Sequence, residues 1–296
     1  MGTAKVGWVV LMDLSICVVS FNTRSLLERA LETALADSQW MRHEAVVVDN
    51  ASSDGSADMV REVFPGVRLV ENRQNRYFTA AANQAFAEAR GTHLLLLNPD
   101  TEIMPGTIQP LVAKLLDEPE IAAATPRMMF PDGRLQRNCS RFPSYEYLLL
   151  TYTFVGLLAP WRRRAVHDRI WFGQWDRLSA RFVEVMPGSF MLIRRAAFEA
   201  IGPFDEKMSL SFSDTDWCRR AGDAGFKLAY LPVGGVVHQE GASRRQVLRR
   251  AQSLYFRDLW AFAAKWYGRG RAGLLAGLTL PTEAWQAVRA GLGPVR

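Results

Sequence analysis

Residues 92–103 read THLLLLNPDTEI. Leu94 to Leu97 form an unbroken apolar run, and a short run bounded by turn residues fits a strand buried on both faces. It stops on Asn98-Pro99-Asp100, an amide, a rigid ring and a carboxylate at one tip. Alone, such a tip is ordinary turn chemistry. Working outward, LSICVVSF (14–21), HEAVVVDN (43–50) and VRLVEN (67–72) read as further short strands, rich in β-branched residues. Between them, TRSLLERALETALA (23–36) puts Leu26, Leu27, Ala30, Leu31, Ala34 and Leu35 on one helical face. SSDGSADMVREVF offers a cap and then a helix, and TAAANQAFAEA (79–89) is an alanine-rich helix. Strands alternating with helices predict an α/β fold with a mostly parallel sheet, its strand ends brought to one rim by right-handed crossovers.

Ligands of such sheets bind beyond the carboxyl ends of the strands. The exits here are Phe21-Asn22, Asp49-Asn50, Glu71-Asn72 and Asn98-Pro99-Asp100, polar or acidic every time. Convergence on one rim makes Asp100 a candidate for more than a turn. A carboxylate at a strand tip suits Mg2+ or Mn2+ held jointly with substrate phosphates, and Asn98 can donate to a phosphate or ribose oxygen. No glycine-rich turn follows the first strand. The G-x-G-x-x-G match at 268–273 follows the helix-like FAAKWYGR rather than a strand, which disfavours a nicotinamide dehydrogenase.

The 296 residues are 49% hydrophobic and carry a net charge of +6, enough for a large core and a leaning toward an anionic partner. A nucleotide or a phospholipid surface is expected, and nucleic acid is not. Cys17, Cys139 and Cys218 are few, odd in number and without metal-ligand spacing, so buried thiols in a reducing, cytoplasmic setting are expected. The apolar start VGWVVLMDLSICVVSF is interrupted by Asp13, and residues 1–12 read as an extension ahead of the first strand. No segment reaches the roughly 18 apolar residues that span a bilayer.

The second half is less regular. RMMFPDGRLQRNCSRFPS (127–144) suggests a loop or hairpin, and 145–182 is rich in aromatics and arginine, with WRRR at 161–164. VEVMPGSFMLIRR (183–195) reads as a strand or strand pair broken at Pro187-Gly188, and RAAFEAIGPFDE (195–206) as a short helix. SDTDWCRRAGDAGF (213–226) predicts a helix with Ser213 as N-cap and Gly225 as stop. Asp214 and Asp216 then lie in its first turn, where they either complement the helix dipole or supply a general base. KLAYLPVGGVVHQEG (227–241) is extended toward His238, a candidate metal ligand or phosphate donor.

Taken in order, ICVVSFNTRSLLERAL, VVVDNASSDGS, ENRQNRYFTAAANQAF, LLLLNPDTEI, PGSFMLIRR with IGPFDE, SDTDWCRRAGDAGF and VVHQEGAS resemble the family-two inverting glycosyltransferases of GT-A fold, in their bacterial rhamnosyltransferase-like branch. The resemblance covers roughly 13–245, with a donor half over about 13–105 and an acceptor half over about 106–245; 246–296 forms a basic, aromatic helical tail. It implies that Asp49 reads the nucleobase or ribose of a nucleoside diphosphate sugar, with Ser20, Phe21 and Asn22 lining the same pocket and Asn75 and Asn98 nearby. Asp100, with His238 near the diphosphate, would hold the divalent ion. Gly188 and Ser189 would lie under the acceptor, Asp214 would be the catalytic base, and Asp216 and Tyr77 would face substrate. Two departures stand out: Ser213 where a glutamate is usual, and Tyr77 where a glycine is usual. They keep a catalytically impaired sugar-nucleotide or glycan-binding module as an alternative. A nucleotidyltransferase is the other, although its phosphate loop is missing. The resemblance implies a glycan or lipid-linked acceptor on the cytoplasmic leaflet. The tail, with Leu248, Leu254, Tyr255, Phe256, Leu259, Trp260, Phe262, Trp266 and Tyr267 among arginines, fits a peripheral contact with anionic membrane, or else a cover for the core or a homodimer contact.

Overall fold

The structure is a computed structural model and describes residues 13–239 and 248–291. The expected extension at 1–12 and the boundary drawn at 245/246 lie outside the described residues. Among the described residues nine strands form one sheet: β1 (Leu14–Ser20), β2 (His43–Asp49), β3 (Arg68–Glu71), β4 (His93–Leu97), β5 (Thr101–Ile103), β6 (Ile121–Met129), β7 (Arg181–Val183), β8 (Phe190–Arg194) and β9 (Lys227–His238). The order is β3-β2-β1-β4-β8-β6-β9-β5, with β7 also on β9. β1 to β4 pair in parallel, β8 runs antiparallel to β4 and β6, and β9 is parallel to β6. The carboxyl ends of β1, β2, β3, β4, β6 and β9 therefore share one rim.

The four leucines of β4 explain the apolar run. Leu94 and Leu96 enter one core cluster and Leu95 and Leu97 the other, because successive side chains of a strand point to opposite faces. All four are 0% exposed, and burial of each contributes about 2 kcal/mol. The Arg24–Asp37 helix covers the second cluster with Leu27, Ala30, Leu31 and Ala34, and the Tyr77–Glu88 helix covers the first with Ala81, Ala82, Ala85 and Phe86.

After β4 the chain does something the apolar pattern does not announce. Asn98-Pro99-Asp100 turns, closed by Thr101 N–H donating to Asn98 O (3.2 Å), and the chain re-enters the sheet as β5 at the far edge, antiparallel to β9. Thr101 there pairs with His238. Along β9 the partner register jumps from Leu231–Pro126 to Val236–Met128, so the PVGG stretch bulges out and re-aims the last three residues.

A third core cluster lies under the C-terminal helices Leu248–Tyr267 and Arg269–Gly291. Phe256, Leu259 and Phe262 pack there with Leu148, Val166 and Met208, while Tyr255, Trp260, Trp266 and Tyr267 are half-buried around them. Of the readings offered for the tail, this packing matches a cover for the core: Phe256, Leu259 and Phe262 are covered by the protein, the ordinary fate of an amphipathic face.

Candidate active site

The side expected to hold the donor is made by loops that follow β1, β2 and β3. Asn22, with φ +53°, accepts from Ser53 N–H through its Oδ1 (2.7 Å), while its own N–H donates to Ser52 Oγ (2.9 Å). Asp54, which the sequence reading did not single out, accepts from Arg24 N–H (2.8 Å) and from Ser56 N–H and Oγ–H (3.0 and 2.6 Å). One carboxylate thus caps two helix starts, and these bonds hold its pKa below the ordinary aspartate range. Asp49 accepts from Ser52 N–H (2.9 Å) on Oδ2, while its Oδ1 is buried with no hydrogen-bond partner among the described residues. A buried acceptor oxygen left open at a rim fits the N–H of a base or the O–H of a ribose. Ser20 is corrected from pocket lining to scaffold, since its hydroxyl is fully buried and bonded to Thr23 (2.9 Å).

An amide network shapes the next loop. Asn50 Nδ2 donates to Asn75 Oδ1 and Tyr77 O (both 3.0 Å), and Asn50 Oδ1 accepts from Asn72 Nδ2 (3.1 Å) and Arg76 N–H (2.9 Å). Asn75 Oδ1 also accepts from Tyr77 N–H (2.8 Å), and Asn72 and Gln84 exchange amide bonds. Asn75 is therefore a loop-former. The network forces Tyr77 to φ +63°, the left-handed region in which a glycine carries no steric cost.

Asp100 is 4% exposed, and its Oδ1 lies 3.5 Å from His238 Nε2. Gln136 decides which nitrogen of His238 carries a proton. Its Nε2 donates to His238 O (2.8 Å), a group that only accepts, so its Oε1 must be the atom 3.0 Å from His238 Nδ1. Nδ1 is then an N–H, so in the neutral ring the lone pair lies on Nε2, on the side of Asp100. Two electron-rich atoms at that separation fit a shared divalent cation. Among the described residues no three His, Cys, Asp or Glu gather, so substrate oxygens would complete such a site, as suits Mg2+ or Mn2+. Gln136 carried no signal in the sequence.

The acceptor side joins this tip through two residues. Asn98 N–H donates to Ser189 O and Gly188 N–H donates to Asp214 Oδ2 (both 3.0 Å). Asp214 Oδ1 accepts from Thr215 N–H (2.7 Å). Asp214 is half-buried, and loss of water around it raises its carboxyl above the ordinary range despite those bonds, as suits a base. Ser189 turns its hydroxyl to Met128 Sδ (3.6 Å), so Gly188 is the member of the pair that touches Asp214.

The helix of Asp214 runs Ser213–Asp223, and its N-cap is Phe212 at φ +66°, not Ser213. Ser213 is 1% exposed and bonds Thr79 Oγ1 (3.0 Å), which ties the Tyr77–Glu88 helix to the Ser213–Asp223 helix at the position where the resemblance leads one to expect a glutamate. Asp216 is corrected as well. It is 0% exposed and its oxygens accept from Arg220 Nε (2.9 Å), Lys265 Nζ (2.7 Å) and Trp266 Nε1 (3.0 Å). Two residues round a helix is nearly the opposite face, so Asp216 holds the tail while Asp214 meets Gly188. Asp258, also unforeseen, accepts from Leu210 and Ser211 N–H (2.7 and 3.0 Å) and fixes the loop before Phe212.

This geometry has relatives. The chain is 28% identical over 242 residues to the N-acetylglucosaminyl-diphospho-decaprenol L-rhamnosyltransferase of Mycobacterium tuberculosis, covering 78% of this chain and 77% of that one. It is 27% identical to an O-antigen biosynthesis protein of Myxococcus xanthus, covering 85% of this chain and 19% of the other. A mannosyltransferase from Pyrobaculum calidifontis, solved with GDP-Man and Mn2+, superposes with a TM-score of 0.54 over 99% of this chain and 80% of its own at 19% identity, a likeness that establishes the GT-A fold. Residues 15–202 match the family described as Glycosyl transferase family 2, and the chain belongs to that family.

Proposed function

We propose that the chain is an inverting glycosyltransferase. It moves a sugar, rhamnose or another hexose, from a nucleoside diphosphate sugar to a hydroxyl of a glycan or lipid-linked acceptor in cell-surface polysaccharide synthesis. The carrying observation is the pairing of Asp214 with Gly188 while the adjacent Ser189 holds the Asn98 end of the Asp100 turn. One two-residue hinge thereby sets the base and the candidate metal tip relative to each other. The names of the mycobacterial and myxobacterial relatives support the sugar and the acceptor class.

Asp49 Oδ1 accepts from the base or ribose, and Asn22 and the amide network keep that loop in place. Asp214, ionised, takes the proton of the acceptor hydroxyl as its oxygen bonds to the anomeric carbon. The bond from that carbon to the diphosphate breaks on the opposite face, and the nucleoside diphosphate leaves with the electron pair, which inverts the centre. Asp100 and His238 would hold Mg2+ or Mn2+, which neutralises charge on the leaving diphosphate when bound. Gln136 keeps the His238 lone pair aimed for that role.

A sugar-nucleotide-binding module without turnover is the second reading, favoured by the Ser213–Thr79 bond at the position of a usual carboxylate. The test uses purified full-length chain with a panel of nucleoside diphosphate sugars and Mn2+. Turnover in the wild type, and loss of Mn2+-dependent donor binding in Asp100→Asn, are expected. Donor binding with no turnover in any combination selects the second reading, and unchanged Mn2+ dependence in Asp100→Asn removes the metal role.

A further inference from the structure

Phe256 and Phe262 of the helical tail are buried and Tyr255, Trp260, Trp266 and Tyr267 half-buried, yet a stretch of the acceptor half does the reverse. Between the Tyr145–Tyr152 helix and Val166, the chain passes through the short helix Val155–Leu158 and enters the helix Pro160–Ile170. Leu157, Leu158 and Trp161 are each 72% exposed and Phe154 is 42% exposed. Only Val166 and Ile170 anchor the longer helix in the third core cluster. Four large apolar side chains within eight residues form the kind of uncovered cluster that marks an interaction surface, since scattered single residues are the norm.

The cluster is followed at once by Arg162, Arg163 and Arg164, all exposed, and by exposed Arg169. Over 154–170 four arginines face one aspartate, Asp168. Glu146 engages Arg162 (2.7 Å) and Arg169 (3.1 Å), while Arg163 and Arg164 have no carboxylate partner among the described residues. Apolar side chains with a basic flank match the interior-to-headgroup gradient of an anionic bilayer. A second copy of this chain would instead have to offer an acidic rim. No helix of the described residues is long and apolar enough to cross a membrane, so the contact is peripheral.

Position gives the surface a purpose. Tyr152, two residues before Phe154, packs on Phe212 (ring centroids 6.4 Å), and Phe212 caps the helix that starts Ser213-Asp214. We infer that residues 154–164 dock the protein on an anionic lipid surface, with Leu157, Leu158 and Trp161 entering the headgroup boundary and Arg163 and Arg164 meeting lipid phosphates, which brings Asp214 to an acceptor held in the bilayer. Resting on the transferase reading, this surface names where that acceptor lies, while vesicle binding is measured without turnover.

The full chain is sedimented with phosphatidylcholine vesicles, with and without phosphatidylglycerol, over a salt series. Binding to the anionic vesicles that weakens with salt is expected. Leu157→Ser/Leu158→Ser/Trp161→Ser should lower it by about tenfold or more, and Arg163→Ala/Arg164→Ala should remove the preference for phosphatidylglycerol. Thermal melting should stay that of the wild type, because the replaced side chains are exposed. Leu274→Ser/Leu280→Ser, exposed positions on the last helix, should bind as the wild type does. Absence of binding by the wild type, equal binding by the triple serine variant, or equal loss in the last-helix variant overturns the assignment. So does a wild-type dimer that the triple variant dissociates without any vesicle binding. Vesicle binding without sugar transfer would instead retire the transferase reading and leave the surface standing.

Discussion

At the donor rim, Asn50 reaches Asn75, Arg76 and Tyr77 across at most 27 residues of chain. At the acceptor helix, Asp258 holds the preceding loop from 47 and 48 residues away, and Asp216 takes Trp266 from 50 away. One side is built from loops that bond to their sequence neighbours, the other from a helix clamped by a tail. The contrast teaches that donor affinity and transfer rate should be largely separable by mutation, with the Thr79–Ser213 and Ser189–Asn98 bonds as the links between the two sides. Backbone outliers sit on both sides, at Asn22 and Tyr77 and at Phe212, where packing over-determines them.

The largest expected effect lies at Asp214. Asp214→Asn should lower transfer about 100- to 10,000-fold and leave donor affinity unchanged, measured by turnover and by calorimetric titration of the nucleotide. The raised carboxyl has a pH consequence. The base must be ionised, so the rate should fall as pH drops through a value above the ordinary aspartate range. An acid limb at or below that range removes Asp214 as the base. Dehydration disfavours the charged form in the fold, so the native state holds its proton to higher pH than the unfolded chain, and stability declines as pH rises through that window. That decline should be absent in the variant.

Asp216→Ala sharpens the comparison from the structural side. Removing the acceptor shared by Lys265, Arg220 and Trp266 should cost about 3–5 kcal/mol in urea unfolding and lower kcat with donor affinity retained. Full stability with transfer abolished would mean that the two aspartates have exchanged roles. Asn50→Ala should do the opposite, costing about 1–2 kcal/mol and raising the donor KM several-fold with little change in kcat. A fall in kcat alone would show that the two sides are coupled after all.

Smallest is Tyr77→Gly. A non-glycine residue in the left-handed region carries a cost of about 1 kcal/mol, partly offset in the variant by a freer unfolded chain. The melting temperature should therefore hold or rise by about 2 °C, while donor KM shifts. Identical donor kinetics would place the tyrosine ring outside the nucleotide pocket.

Much of the donor side was legible before any coordinates. Apolar runs, helical faces and polar exits are local patterns, and each strand from β1 to β4 ends within a residue or two of where its pattern stops. The glycine expected at position 77 has its reason in φ, although only the amide network shows it. The acceptor side was readable in outline, as a broken strand pair at Pro187-Gly188 and a helix near 213, but not in its contacts. Ser213 looked like a cap because serine caps well, whereas the turn before the helix is set by Asp258 and Phe212.

The sequence by itself determined the layering of this protein, the rim and the carboxylates at three strand tips, because period-2 and period-3.6 burial and turn chemistry are properties of neighbouring residues. Tertiary structure alone decided which of Asp214 and Asp216 faces Gly188, that Gln136 sets the proton of His238, and that Leu157, Leu158 and Trp161 stay exposed while Phe256, Leu259 and Phe262 of the tail are packed away. Those outcomes depend on how helices dock across tens of residues. A carboxylate's type says it can accept a bond, but only the packed chain says which donor arrives.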